Sequence, residues 1–379
     1  MDYRKYLTED VLPFWLKHSI DEECGGILHQ VDREGNIYST DKNVWFIGRA
    51  LWTFAVAYNM VEKRPEYLKA CETIFSFYEK CTLPGGRLPF TCTREGAPIQ
   101  ARDYYYSEAF AAIGCAQYYR ASKNPEALKR AEMYFDVMYS LYKNPDTKSP
   151  ESKTENPCTV FGLEMIMLSV AQFMRNLGEN TEKYEALAKE ALYNMQNGGY
   201  VRDDLRTIRE YIPIGDAVLS EDMAKYICPG HVYEAAWFVL CEGETKNDDS
   251  IRAFGRKLLE YAIPDDVKDT ISVVRTGRFK LENEDYIWWP QCEAIIAYNL
   301  AYNIFGDKKY KEIADRFEEF AFLHFADKEC GEWFEECTPD GKVVSTNKGT
   351  VLKGPFHLPR MLFGMISLTE TGSILKYLA

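Results

Sequence analysis

Val44-Trp-Phe-Ile-Gly-Arg-Ala-Leu-Trp-Thr-Phe-Ala-Val-Ala-Tyr-Asn-Met60 is followed by Pro65, then by Tyr67–Cys81, then by Gly85-Gly86-Arg-Leu-Pro89. Both longer stretches carry apolar residues at helical spacing rather than in strict alternation. Proline has no N–H to give and crowds the preceding turn, so Pro65 separates two helices. The glycine pair supplies the turn that follows. The segment therefore reads as helix, break, helix, glycine loop. Gly25-Gly26-Ile-Leu, Gly198-Gly199-Tyr-Val and Gly331-Glu-Trp-Phe also follow helical segments. Counted from the first glycine of each, the loops at 25, 85, 198 and 331 are 60, 113 and 133 residues apart. The latter two are close to twice the first, so a unit of about sixty residues fits roughly six times into the chain.

The same periodicity predicts helices over Ser107–Ser122, Ala127–Tyr142, Cys158–Leu177, Glu182–Gln196, His231–Cys241, Asp249–Tyr261, Gln291–Phe305, Tyr310–Phe325 and Leu358–Leu368. Asn124-Pro125, Gly178-Glu-Asn, Gly243 and Gly306-Asp307 punctuate the joints. Six hairpins can close into a ring, and neither end reads as a polar capping repeat. An open solenoid fits the spacing nearly as well. No linker marks a boundary, so one domain spanning 1–379 is expected. Lys143–Pro157 is polar and contains prolines, and it reads as a long loop over the mouth of a pocket.

Composition narrows the partners. Of 379 residues, 46% are hydrophobic, enough for a large core, and the net charge is −13. That balance, with no basic stripe, argues against nucleic acid and against anionic membrane surfaces. No uninterrupted run of eighteen apolar residues occurs, so no membrane-spanning helix is expected. The N-terminus has no apolar core of signal-peptide length. Eleven scattered cysteines without a Cys-x-x-Cys pair read as reduced, buried thiols of a cytoplasmic protein. Phosphate-loop, dinucleotide and His-Glu-x-x-His motifs are missing, and nothing has metal-ligand spacing.

Five stretches could carry chemistry. Lys353-Gly-Pro-Phe-His-Leu-Pro-Arg360 sets a titratable imidazole, His357, beside a permanent cation, Arg360, on a backbone stiffened by two prolines and a glycine. Cys228-Pro-Gly-His231 feeds a helix start, with Glu234 one turn on and Trp237 beyond. Trp288-Trp289-Pro-Gln-Cys-Glu293 offers rings for the apolar face of a sugar and polar groups for its hydroxyls. A tryptophan pair packing the core is the plainer reading. Arg49 sits inside the apolar helix Trp45–Trp52, where a cation needs a partner or a polar cavity. Arg102-Asp103-Tyr-Tyr-Tyr106-Ser-Glu108-Ala-Phe110 opens another helix. His18, His29 and His324 stand in ordinary surroundings and read as structural.

Taken in order, Gly48-Arg49-Ala-Leu-Trp52, Tyr106-Ser-Glu-Ala-Phe110, Pro229-Gly-His231-x-x-Glu234-x-x-Trp237, Trp288-Trp-Pro-Gln-Cys-Glu293 and Lys353–Arg360 resemble the motifs of the N-acylglucosamine 2-epimerase family across nearly the whole chain. The resemblance implies an all-α (α/α)6 barrel with short β-hairpin loops. It also implies interconversion of a sugar with its C2 epimer, for example N-acetylglucosamine with N-acetylmannosamine. Relatives include cellobiose 2-epimerases and aldose–ketose isomerases of the mannose type, which usually show a further histidine at the start of the helix near Cys158. Asn156-Pro157-Cys158-Thr159 stands there, as in the N-acylglucosamine branch, whereas Gln291 replaces a frequent histidine of that branch and Ile47 a frequent glutamine.

Epimerisation needs the open-chain sugar, whose C2 proton lies next to a carbonyl. Two bases of suitable pKa remove and return that proton from opposite faces, and His231 and His357 are the expected pair. Arg49 or Arg360 would stabilise the oxyanion. Glu234 and Glu293 would orient an imidazole or bind hydroxyls, and Trp289 and Tyr106 would pack on the sugar. No metal or redox cofactor is required. A nucleotide activator such as ATP is reported for some family members, with no site identifiable here, and a homodimer is expected. Two rival readings remain. An inverting glycosidase would use two of Glu234, Glu293, Glu108 and Asp103 at about 6.5–9.5 Å. A non-catalytic helical-repeat protein would bind a partner on its surface.

Overall fold

In a computed structural model of the chain, residues 1–100, 105–144, 158–178, 180–262, 286–338 and 340–374 are described. Arg102, Asp103 and Asn156-Pro157 lie outside them, as does the loop expected over Lys143–Pro157 from residue 145 onward. The chain falls into two compact units, each drawn from three stretches of sequence. Met1–Lys153, Asp327–Glu332 and Thr346–Phe363 make the first; Thr154–Ala326, Trp333–Ser345 and Gly364–Ala379 make the second.

The first unit holds α1 (Leu12–His18), α2 (Val44–Val56), α3 (Pro65–Ser76), α4 (Tyr106–Ser122) and α5 (Pro125–Lys143). The second holds α6 (Phe161–Arg175), α7 (Thr181–Asn197), α8 (Pro229–Lys246), α9 (Asp249–Tyr261), α10 (Trp288–Phe305) and α11 (Lys308–His324). The last helix, α12 (His357–Thr371), starts in the first unit and ends in the second. Helices pack in hairpins: α4 against α5, α6 against α7, α8 against α9, α10 against α11.

Each hairpin pairs a buried helix with a half-buried one. α2 buries twelve of its thirteen residues and α6 thirteen of fifteen, so these have no solvent face. α3 buries five of twelve. α7 buries Tyr184, Leu187, Ala188, Ala191, Leu192 and Met195, the single stripe of a helix wetted on its other side. Three of the turns between partners repeat one chemistry. A residue in left-handed conformation ends the first helix, and an Asx side chain caps the second. Lys123 precedes Asn124, which accepts from the Glu126 N–H; Asn247 precedes Asp248, which accepts from Ser250 and Ile251; Gly306 precedes Asp307, which accepts from Lys309.

Short strands fasten the entries of the buried helices. β1 (Gln30–Val31) pairs with β2 (Ile37–Ser39), and β3 (Lys42–Asn43), β4 (Thr91–Cys92) and β5 (Pro98–Gln100) make a three-stranded sheet. β6 (Cys158–Val160) pairs with β9 (Tyr211–Pro213) in the register Cys158 to Pro213 and Val160 to Tyr211. β7 (Val201–Arg202) pairs with β8 (Thr207–Ile208), and β10 (Tyr286–Ile287) with β11 (Glu336–Cys337). β3, β6 and β10 run directly into α2, α6 and α10. The first turns of those helices are thereby held by a hydrogen-bonded ladder.

Two expectations are corrected. α8, α10 and α5 begin earlier than the spacing predicts, at Pro229, Trp288 and Pro125. Proline at the first helical position loses only an N–H that would be orphaned there anyway, so Pro125 and Pro229 start helices instead of preceding them. Cys158–Val160 is a strand, and its helix begins at Phe161. The window Val44–Val61 is long and apolar enough to span a membrane, yet 72% of it is buried inside the protein, as in a core helix.

Candidate active site

In the second unit His231 and Trp289 sit in the first turns of buried helices, and Glu234 and Glu293 follow one turn later. His231 is the third residue of α8, and Trp289 the second of α10. The imidazole of His231 keeps about a quarter of its surface, 26%, exposed, and its Nδ1 lies 2.9 Å from Oε1 of Glu210. The same Oε1 accepts from the Gly162 N–H at 3.2 Å. The Trp289 indole lies beside the ring, tilted by 42° with centroids 5.5 Å apart. Two glycines make room. A Cβ on Gly162 would stand 2.8 Å from Nδ1 of His231, and one on Gly230 would run into the Trp289 indole. Burial opposes charging the ring, while the Cys228 sulfur and the Glu210 carboxylate favour it; the net effect lifts His231 well above the ordinary 6.5.

Glu210, Cys228 and His231 offer three ligand-type atoms within 4.8 Å of one another. Two ligands around a tetrahedral zinc stand about 3.3 Å apart. The 2.9 Å contact is shorter and is a hydrogen bond. Glu293 is fully buried and accepts from Nε1 of Trp237 at 2.9 Å. Glu234, buried one turn after His231, is not the carboxylate on Nδ1; Glu210 is. Gln291 donates to the Ile287 carbonyl at 3.2 Å, a bond within its own helix start.

In the first unit Arg49 is buried on α2, and its guanidinium carbon lies 4.1 Å from the Phe110 ring, 4.5 Å from Trp45 and 4.8 Å from Phe356. The expected surroundings for this cation were a charged partner or a polar cavity; aromatic faces supply much of its environment. Tyr106 opens α4, stacks 6.2 Å from Phe110 and lies 6.3 Å from Trp45. His357 and Arg360 share the first turn of α12, with Arg360 Nη2 3.3 Å from His357 Nδ1, and Arg360 also faces the Phe356 ring at 4.6 Å. Lys353 is wholly buried and ion-paired with Glu332 at 2.7 Å, and Glu332 accepts from Trp15 Nε1 at 2.7 Å. Glu108 is turned to structural work. Its Oε1 takes Arg87 Nε at 2.7 Å and the Leu88 N–H at 2.9 Å.

The structure thus brings His231 and Trp289 together in the second unit, and Arg49, Tyr106 and the His357–Arg360 pair near shared aromatic residues in the first. Reading the sequence missed Glu210 and Glu332. Glu210 lies 21 residues before His231 in Arg209-Glu-Tyr-Ile-Pro, with no helical spacing to signal the pairing.

The family model described as "N-acylglucosamine 2-epimerase (GlcNAc 2-epimerase)" matches residues 25–353. The N-acylglucosamine 2-epimerase of Bos taurus is 28% identical over 93% of this chain and 87% of its own length. The cellobiose 2-epimerase of Bacteroides fragilis is 24% identical over 96% of this chain and 98% of its own. Among solved structures, a sugar epimerase from a ruminal bacterium superposes with a TM-score of 0.82 at 22% identity, covering 97% of this chain and 98% of that one. That likeness shows the fold, the all-α (α/α)6 barrel. With a family match that runs through most of the chain and takes in Arg49, Tyr106, His231 and Trp289, the protein belongs to the N-acylglucosamine 2-epimerase family.

Proposed function

We propose that this protein is a sugar 2-epimerase that interconverts N-acylglucosamine and N-acylmannosamine, with N-acetylglucosamine and N-acetylmannosamine as the pair. The observation that carries the reading is His231: an imidazole in the first turn of a buried helix, with a carboxylate on one nitrogen and an indole beside the ring, in a chain of this family. The N-acylglucosamine branch is favoured by relatives of that name at 26–28% identity.

In the open-chain aldose the C2 proton is acidified by the C1 carbonyl. A neutral imidazole takes it, leaving an enolate; an imidazolium on the opposite face returns a proton to C2 and inverts the centre. The carboxylate beside His231 suits the charged partner. His231 and His357 are the proposed acid–base pair. Arg49 or Arg360 would stabilise the enolate oxygen, Glu234 and Glu293 would hold hydroxyls, and Trp289 and Tyr106 would pack on the sugar. The chemistry asks for no metal or redox cofactor, and a nucleotide such as ATP would act only as an activator. Residues 1–379 are taken as a single catalytic domain. A homodimer and a cytoplasmic setting belong to the same proposal; the eleven free thiols support the latter.

Incubation with N-acetylmannosamine, mannose and cellobiose in D2O, with and without ATP, tests the reading by NMR. C2 deuteration and epimer formation from N-acetylmannosamine are expected. Ketose from mannose, or epimer from cellobiose alone, would transfer the protein to a neighbouring branch. His231→Ala and His357→Ala should each lose roughly a hundredfold or more of the epimerisation rate. Unchanged turnover in either variant removes that histidine from the reaction.

A further inference from the structure

We propose that Glu210 is the positioning residue for His231, locking a proton on Nδ1 so that Nε2 is the nitrogen presented to the sugar. The inference rests on the epimerase reading for what His231 does, but its geometry stands without it.

Glu210 is held rigidly. Its carbonyl accepts from the Phe161 N–H at 2.8 Å, and its own N–H donates to the Tyr226 carbonyl at 3.2 Å, so its backbone is fixed on both sides. Its side chain is 3% exposed, and Oε1 is shared between Nδ1 of His231 and the Gly162 N–H. Oε2 is buried and, among the described residues, has no hydrogen-bond partner. Buried carboxylates that serve only the fold are normally saturated with donors or paired with a lysine or arginine. Among the described residues the ion-pair partner of Glu210 is His231 alone. A glutamine would accept from Gly162 as well and would leave no buried charge, so the fold does not explain the carboxylate. The imidazole does.

An ionised carboxylate only accepts, so the hydrogen between Oε1 and the ring belongs to Nδ1. Nε2 then carries a lone pair when the ring is neutral and a proton when it is charged. Returning a proton to C2 breaks the Nε2–H bond and forms C–H, leaving neutral His231 with Nδ1–H still on Glu210. The reverse step restores the imidazolium. Glu210 keeps its proton count through both steps. Other elements packed on the ring do not replace this role: α6 presents Gly162 and α10 presents Trp289, neither of which titrates. The segment before α8 presents Cys228, whose thiol is a weak donor and acceptor. The elevated pKa of His231 agrees with the Cys228 sulfur and the Glu210 carboxylate both lying beside the ring.

The chain has five histidines, few enough for a labelled-imidazole NMR titration, with the His231 signals assigned by their loss in His231→Gln. In the native protein the nitrogen shifts should report an Nδ1–H ring when neutral and a titration above the ordinary 6.5. In Glu210→Gln the titration should move to lower pH and the tautomer should become mixed. The rate of C2 exchange should fall roughly tenfold to a hundredfold with little change in KM, and Glu210→Asp should recover part of it. Unmoved titration and tautomer in Glu210→Gln overturn the inference, even if activity falls. If the variant does not fold, a native His231 that titrates at or below 6.5 with Nε2–H overturns it just as well. A moved titration with unaffected C2 exchange upholds the positioning by Glu210 and overturns the role of His231 in epimerisation.

Discussion

Arg360 and His357 sit in one turn, with the guanidinium 3.3 Å from the ring. Arg360→Gln removes a cation proposed to stabilise the enolate oxygen, so kcat should fall roughly a hundredfold in a protein that still folds. An unchanged kcat in this variant would detach Arg360 from that role. At this scale the sequence showed residue types well and pairings badly. His231, His357 and Trp289 stood out through prolines, glycines and adjacent aromatics. The partner of His231 did not, because Glu234 at helical spacing offered itself first. The real partner comes from a loop between strands, where distance along the chain carries no information about distance in space.

Elements divide into those set locally and those set by burial. The helices were legible because a buried helix and a striped helix each leave a period in the sequence, and because Asx caps mark the turns between them. Their starts were misplaced wherever proline sits at the first position. The segment leading into α12 is different. Its sequence promised stiffness from Gly354, Pro355 and Pro359, but what anchors it is Lys353, wholly buried on Glu332 at 2.7 Å and on the Lys348 carbonyl at 2.8 Å. Lys353→Met strands the Glu332 carboxylate with Trp15 as a remaining donor and should destabilise by about 3–5 kcal/mol, measured by urea denaturation. Glu332→Gln in the same chain should recover much of the loss, since it removes the stranded charge. A single variant as stable as the native protein would show that the pair does not anchor the segment.

The molecule as a whole should be sensitive to acid, and three of its buried groups show why. His29 is fully buried and, among the described residues, has no hydrogen-bond partner on either ring nitrogen; burial, with a smaller push from Lys42, pulls it down to about 3. As pH falls below the ordinary 6.5, the unfolded chain takes a proton that the native state refuses, so stability drops between about 6.5 and 3. Asp21 and Asp327 act lower. Burial works against their charge, but Arg94 and Lys42 at the first, and Arg33 and Lys348 at the second, hold both well below 3.8. Their contribution is present above 3.8 and is lost as pH falls further. Melting temperature should therefore decline from pH 7 to 4, and His29→Leu should flatten that stretch while leaving the steeper loss below pH 4. An identical decline in the variant would place the titrating group elsewhere. By itself the sequence determined the helical class and the hairpin repeat near sixty residues, because periodicity, caps and breakers act over a few residues. Only the tertiary structure decided that Glu210 meets His231, that aromatic faces surround Arg49 and that Lys353 is buried on Glu332. Those pairings arise from chain segments that close packing brings together, and no local rule encodes them.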